Sequence, residues 1–222
     1  MRAQRCQGRP SRGVPAVSAP DPYALRFPVV ALVTSAGGLD ALSQVLAPLP
    51  TDLPAAVVVA QHLAPEHPSQ LAAILRTRTA LPVREAANGD ELVPGTVLVT
   101  PAARHLLITS EARIGLLDVG NAPPYRPSAD LLLATLAVTC GPRALAVVLT
   151  GKGHDAQAGI RAVSHCGGTV FAQDEASSAY FGMPGAAIDT GLVHEVLGLP
   201  DIAAAIQAHA HRAPEPAPRA AG

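Results

Sequence analysis

The chain has 222 residues, room for one ordinary domain, and a composition of 49% hydrophobic and 15% charged residues with a mean hydropathy of +0.27 excludes disorder along its whole length. With 16 basic against 17 acidic residues, the net charge of -1 excludes a broad electrostatic pull toward nucleic acid or an anionic membrane, and 3% aromatics with no Trp argue against base-stacking platforms. Cys6, Cys140 and Cys166 lack CxxC spacing, which speaks against a disulfide framework or a thiolate zinc site and fits a reducing cytoplasm.

Residues 1–25, rich in Arg, Pro, Gly and Ser, and residues 212–222, mostly Pro and Ala, read as disordered tails around a body at 26–211. The N-terminus lacks the apolar run of a secretory signal, and the longest apolar stretch, Leu131 to Cys140, is about half the ~20 residues of a membrane span. No membrane insertion is expected. In chain order, a Val-rich strand at Val29–Thr34 leads to a helical pattern at Leu39–Ala47, then a strand at Ala55–Ala60 and a helix at Pro68–Arg78. A strand at Thr96–Thr100 follows, then a helix at Ser128–Cys140, a strand at Ala144–Thr150, a helix at Ala156–Cys166, a strand at Thr169–Ala172 and a helix at Asp201–Ala210. Strands apolar on both faces that alternate with helices predict an α/β fold, a mostly parallel doubly wound sheet covered on both faces. The stretch from Val83 to Val119 departs from that pattern and predicts an antiparallel hairpin insertion turning at Ser110-Glu111.

In such sheets chemistry gathers beyond the carboxyl ends of the strands. The first strand runs into Ser35-Ala36-Gly37-Gly38, a strand-to-helix elbow that suits an exposed nucleophile beside free backbone amides, a phosphate-binding turn, or a plain serine N-cap. The second ends at Gln61-His62, and the imidazole has the pKa to take a hydroxyl proton near neutrality. The third ends in Thr150-Gly151-Lys152-Gly153-His154-Asp155, whose carboxylate either orients that imidazole or caps its own helix. A Walker loop is excluded, because Gly153 follows Lys152 where Ser or Thr is required.

Ser35 with Gly37-Gly38, Gln61-His62 and Leu149-Thr150-Gly151-x-Gly153-x-Asp155 resemble the catalytic domain of the chemotaxis methylesterase family, CheB. The likeness extends to Arg126-Pro127-Ser128-x-Asp130, to Ala172 through Ser177 and to Phe181-Gly182-Met183-Pro184, so that it covers about residues 27–205. The resemblance implies a protein-glutamate methylesterase with an associated glutamine deamidase activity, acting on the cytoplasmic domain of methyl-accepting chemoreceptors without a metal or cofactor. Carried over, it implies Ser35 as nucleophile, His62 as general acid and base and Asp155 as the residue that orients His62. Backbone amides near Ala36 and Gly37 and in the Gly151, Lys152, Gly153 loop are the expected oxyanion and substrate-binding donors. The family usually has Ser-Thr-Gly-Gly and a methionine followed by Gly-Asn-Asp-Gly, whereas this chain has Ala36, Lys152, His154 and Ala156. Those departures keep open an alternative, a weak or inactive CheB-like binding module in a chemosensory complex. The 25 residues before the body are too few for the receiver domain usual in the family, so control by phosphorylation in cis is not expected.

Elsewhere, His67, His105, His154, His165 and His194 form no metal-ligating spacing, and Cys140 and Cys166 read as small buried hydrophobes. Arg126 is either a loop charge or a structural or receptor-contacting residue. Tyr180, Phe181 and Met183 are either a cleft wall or core filling. Lys152 either lies near His62, where its ammonium opposes protonation of the ring, or turns into water.

Overall fold

The computed structural model describes residues 25–62, 69–118 and 127–212. The expected tails fall almost wholly outside the described residues, as do Arg126, His67 and the start of the helix expected from Pro68. Strand β1 (Val29–Thr34) leads through helix α1 (Gly38–Leu46) to β2 (Ala56–Gln61), and α2 (Leu71–Arg76) follows. After β3 (Val83–Glu85) and β4 (Val97–Val99) comes the hairpin of β5 (Arg104–Ile108) and β6 (Ile114–Asp118). The second half runs α3 (Ala129–Cys140), β7 (Ala144–Val148), α4 (Gln157–His165), β8 (Thr169–Gln173), α5 (Gly182–Ile188), β9 (Glu195–Leu197) and α6 (Leu199–His211).

Seven strands form one parallel sheet in the order β3-β4-β2-β1-β7-β8-β9. Its central strands lack polar alternation because both faces are covered. Along β1 the residues divide: Val29, Ala31 and Val33 join the core under α3 and α4, while Val30 and Leu32 join the core under α1, α2 and α6. Close packing of α3 on α4 depends on Gly159, where a Cβ would lie 2.5 Å from that of Leu133.

The expected hairpin is present, with Arg104 opposite Asp118 and Ile108 opposite Ile114. It occupies less of the chain than expected. Within the stretch from Val83 to Val119, β3 and β4 belong to the main sheet and run parallel to it, joined without a helix between them. The antiparallel pair instead packs against α3, whose Thr135 hydroxyl accepts the Ile108 amide at 3.1 Å. Strand β9 and helix α5 carry no expectation from sequence, the first being three residues long and the second containing Gly and Pro.

Cys140 is buried, and burial pushes its thiol up to about 12, which leaves it a protonated hydrophobe at neutral pH. His209 on α6 is also buried, its ring edge-on to Phe171 with centroids 6.3 Å apart. Desolvation, with smaller contributions from Arg212 and His194, lowers its pKa from 6.5 to about 4. A base depressed in the folded state stabilises the fold above its unfolded pKa, and that contribution is lost as pH falls from 6.5 toward 4. Urea unfolding should therefore show a loss of about 3 kcal/mol across this window. His209→Leu should remove that part of the slope; an unchanged slope in the variant would contradict the assignment.

Candidate active site

The chain leaves β1 toward β2 on one side and returns later to lay β7 on the other, so β1 and β7 meet where the strand order reverses. A crevice opens at the carboxyl ends of strands at such a point. The backbone knits three strand ends together there. The Ser35 amide donates to the Thr150 carbonyl at 3.1 Å, the His62 amide donates to the Thr34 carbonyl at 3.0 Å, and the buried Thr34 hydroxyl donates to the Thr150 carbonyl at 2.6 Å.

The elbow after β1 is shaped by its two glycines. Gly37 has φ +80°, a left-handed conformation that L side chains rarely adopt. A Cβ on Gly38 would fall 2.6 Å from the Thr34 side chain. Gly37, not Ser35, is the N-cap of α1, and no side chain caps this helix. The cap reading of Ser35 is thereby corrected, and its half-buried hydroxyl faces a cleft instead. The Gly38 amide donates back to the Ser35 carbonyl at 3.0 Å, while the next first-turn amides of α1 have no intrahelical partners.

His62 Nε2 lies 2.9 Å from Asp155 Oδ2. Asp155 is not the plain cap of its own helix, because the N-cap of α4 is Ala156, held at φ 94°. Its carboxylate instead gathers amides across the chain: Oδ2 accepts from Ala129 at 2.7 Å, and Oδ1 accepts from Asp130 at 3.1 Å and Ala156 at 2.9 Å. The first two of these are orphan donors at the start of α3. Burial opposes ionisation of Asp155, but the hydrogen bonds from His62 and from the Ala129 and Asp130 amides outweigh it and hold the carboxyl below its ordinary range. His105 on β5 steadies the same corner, its Nδ1 accepting the Ser128 amide at 2.8 Å while the Ser128 hydroxyl caps α3. No hydrogen bond joins the Ser35 hydroxyl to His62 among the described residues. Such links often tighten only when substrate binds.

The loop after β7 is braced from behind. Thr150 receives the Tyr180 amide on its hydroxyl, which donates to the Ala36 carbonyl at 3.1 Å, and its own amide donates to Gln173 Oε1 at 2.8 Å. The Gly151 amide, one of the expected oxyanion donors, instead donates to the Tyr180 carbonyl at 2.9 Å. A Cβ at Gly151 would lie 2.4 Å from Met183 Sδ and 2.9 Å from Ser35 Cβ, so glycine there is a packing requirement. Lys152 is exposed, as in the solvent-facing alternative, with its ammonium 4.5 Å from the centroid of the exposed Tyr180 ring. Tyr180 is exposed whereas Met183 is fully buried, so one is a rim residue and the other core. The roles of Thr150, Gln173 and His105 rest on long-range contacts and have no local sequence signal beyond the motifs that contain them.

In front of Ser35 lies a cleft of about 620 Å³, whose lining includes Ser35, Gln61, His62, Asp40, Ile74 and Arg78. Among the described residues there is no group of three His, Cys, Asp or Glu side chains fit to hold a metal, and no helix long and apolar enough to cross a membrane.

Fold and cleft together define a class: a doubly wound parallel α/β domain with a hydroxyl, an imidazole and a carboxylate brought to the switch point of its sheet. The CheB methylesterase family matches residues 30–206, and the chain belongs to that family. It is 45% identical over 213 residues to a protein-glutamate methylesterase/protein-glutamine glutaminase of Moorella thermoacetica, covering 90% of this chain and 50% of the relative. With the protein-glutamate methylesterase FrzG of Myxococcus xanthus it shares 42% identity over 188 residues, 84% of this chain and 55% of that one. The chain thus spans about half the length of these curated relatives. The catalytic domain of the Thermotoga maritima CheB methylesterase superposes with a TM-score of 0.78 at 31% identity, covering 83% of this chain and 99% of that domain.

Proposed function

We propose that this chain hydrolyses methyl esters of glutamate side chains, and deamidates glutamine side chains, on the cytoplasmic part of a chemoreceptor-type protein. The observation that carries the reading is the 2.9 Å contact between His62 and an ionised, amide-anchored Asp155, beside a serine in the same cleft. The names of the relatives supply the substrate class.

In this reading the Ser35 hydroxyl passes its proton to Nδ1 of His62, the ring nitrogen that does not face Asp155, and attacks the ester carbonyl. Asp155 stabilises the imidazolium. Amides at the Ala36-Gly37 turn stabilise the oxyanion. His62 then protonates the departing methoxide, methanol leaves, and water attacks the acyl-serine with the ring as base, releasing glutamate and free Ser35. With a glutamine substrate the same steps release ammonia. The absence of a CxxC pair and the lack of a membrane-crossing helix among the described residues are compatible with work in the cytoplasm. Incubation with methyl-esterified receptor fragments should release methanol in proportion to enzyme; release no greater than the protein-free blank would overturn the reading.

A further inference from the structure

We infer that Arg78 is a specificity-determining residue, binding a carboxylate of the substrate protein that lies one or two helical turns from the scissile ester. The inference rests on the proposed esterase reading and adds to it the chemistry of the residues flanking the target glutamate.

Arg78 follows α2 and lines the same cleft as Ser35. It is exposed, and among the described residues its guanidinium makes no ion pair. The other charge on this wall is already served. Asp40 accepts a hydrogen bond from Gln44 at 2.8 Å and sits in the first turn of α1, where the helix dipole favours an anion. Among the described lining residues Arg78 is thus the one arginine or lysine, without an ion pair and with a planar fork that matches a carboxylate.

Dimensions decide which carboxylate it reaches. A sphere of the cleft's volume, about 620 Å³, is about 11 Å across, comparable to two turns of an α-helix at ~5.4 Å each. If a helical substrate presents its ester to Ser35, side chains at i+3, i+4 or i+7 on the same face fall within the span of the cleft. Ile74 also lines the cleft, offering an apolar contact to the helix surface. The ester carbon itself is held at Ser35, so Arg78 acts on binding and not on the chemical step.

The test uses synthetic helical peptides carrying one glutamate methyl ester and either Glu or Gln at i+4 and i+7, with methanol release as readout. The parent should prefer the acidic peptide through KM, and Arg78→Ala should reduce the acidic-to-neutral ratio of kcat/KM about fivefold, with most of the change in KM. Arg78→Glu should invert the preference and favour a peptide with Lys at the same positions, a result that general damage to the fold does not produce. A ratio unchanged by both variants, while the parent hydrolyses all peptides, overturns the role of Arg78 and leaves the esterase reading standing. No methanol from any peptide with the parent overturns the esterase reading, and in that case the charge preference is read from anisotropy of the labelled acidic and neutral peptides, where equal affinities overturn the role of Arg78 as well.

Discussion

Ser35→Ala should abolish methanol release, a fall of about 10⁴-fold or more in kcat, while urea unfolding changes by less than about 0.5 kcal/mol. The two halves of that expectation have separate causes. Without Oγ no acyl-enzyme forms, and the imidazole and oxyanion donors are left with nothing to activate. The fold loses little, because the elbow is held by backbone bonds from the Ser35 amide to Thr150 and from the Gly38 amide to the Ser35 carbonyl, both of which alanine keeps. The parent should also be labelled by a fluorophosphonate at Ser35 and the variant should not. Labelling of the variant at an equal rate would move the nucleophile elsewhere.

Asp155→Asn should be damaging in both respects, with kcat lower by about 10³ to 10⁴-fold and stability lower by about 2–4 kcal/mol. Each oxygen of the carboxylate accepts from a backbone amide, Oδ2 from Ala129 and Oδ1 from Asp130 and Ala156. An asparagine in either flip must therefore aim its NH₂ at a backbone N–H, leaving buried donors unsatisfied. If the NH₂ faces His62, it donates to Nε2 and moves the ring proton to Nδ1, the nitrogen that must receive the proton from Ser35. The catalytic loss should then exceed what partial unfolding explains, which kcat measured well below the unfolding midpoint will show. An Asp155→Asn protein as stable as the parent would contradict the anchoring role.

What could be read from the residues alone follows the range of the forces involved. Strands β1, β2 and β7 are mostly buried apolar runs, and the polar segments that follow their carboxyl ends, short before Ser35 and His62 and a glycine-rich loop before Asp155, make these residues legible. The short edge strands β3 and β9 escape, since three residues carry too little pattern and their pairing is supplied by the neighbouring strand. The hairpin is legible by its alternation, but nothing local shows that Val97–Val99 belongs to the parallel sheet. At the site, Ser35 and Asp155 both looked equally like helix caps, and only tertiary placement separates these readings. The contact of Asp155 with α3 joins residues 25 and 26 positions apart, and the engagement of the Gly151 amide by Tyr180 is equally non-local. Arg78 has no sequence signature at all, because a lone arginine after a short helix gains meaning only from the cleft it borders.

The carboxylate that contacts the imidazole also closes the open end of a twelve-residue helix that covers one face of the sheet. Selection for folding and selection for turnover therefore act on the same atom. A descendant that gave up hydrolysis could shed Ser35 at almost no structural cost, but would still be held to an acid at 155. With Ser35 as the proposed nucleophile, an aspartate at this place says less about turnover than a serine at the elbow does. Sorting active from retired members of the lineage should begin at the elbow after β1.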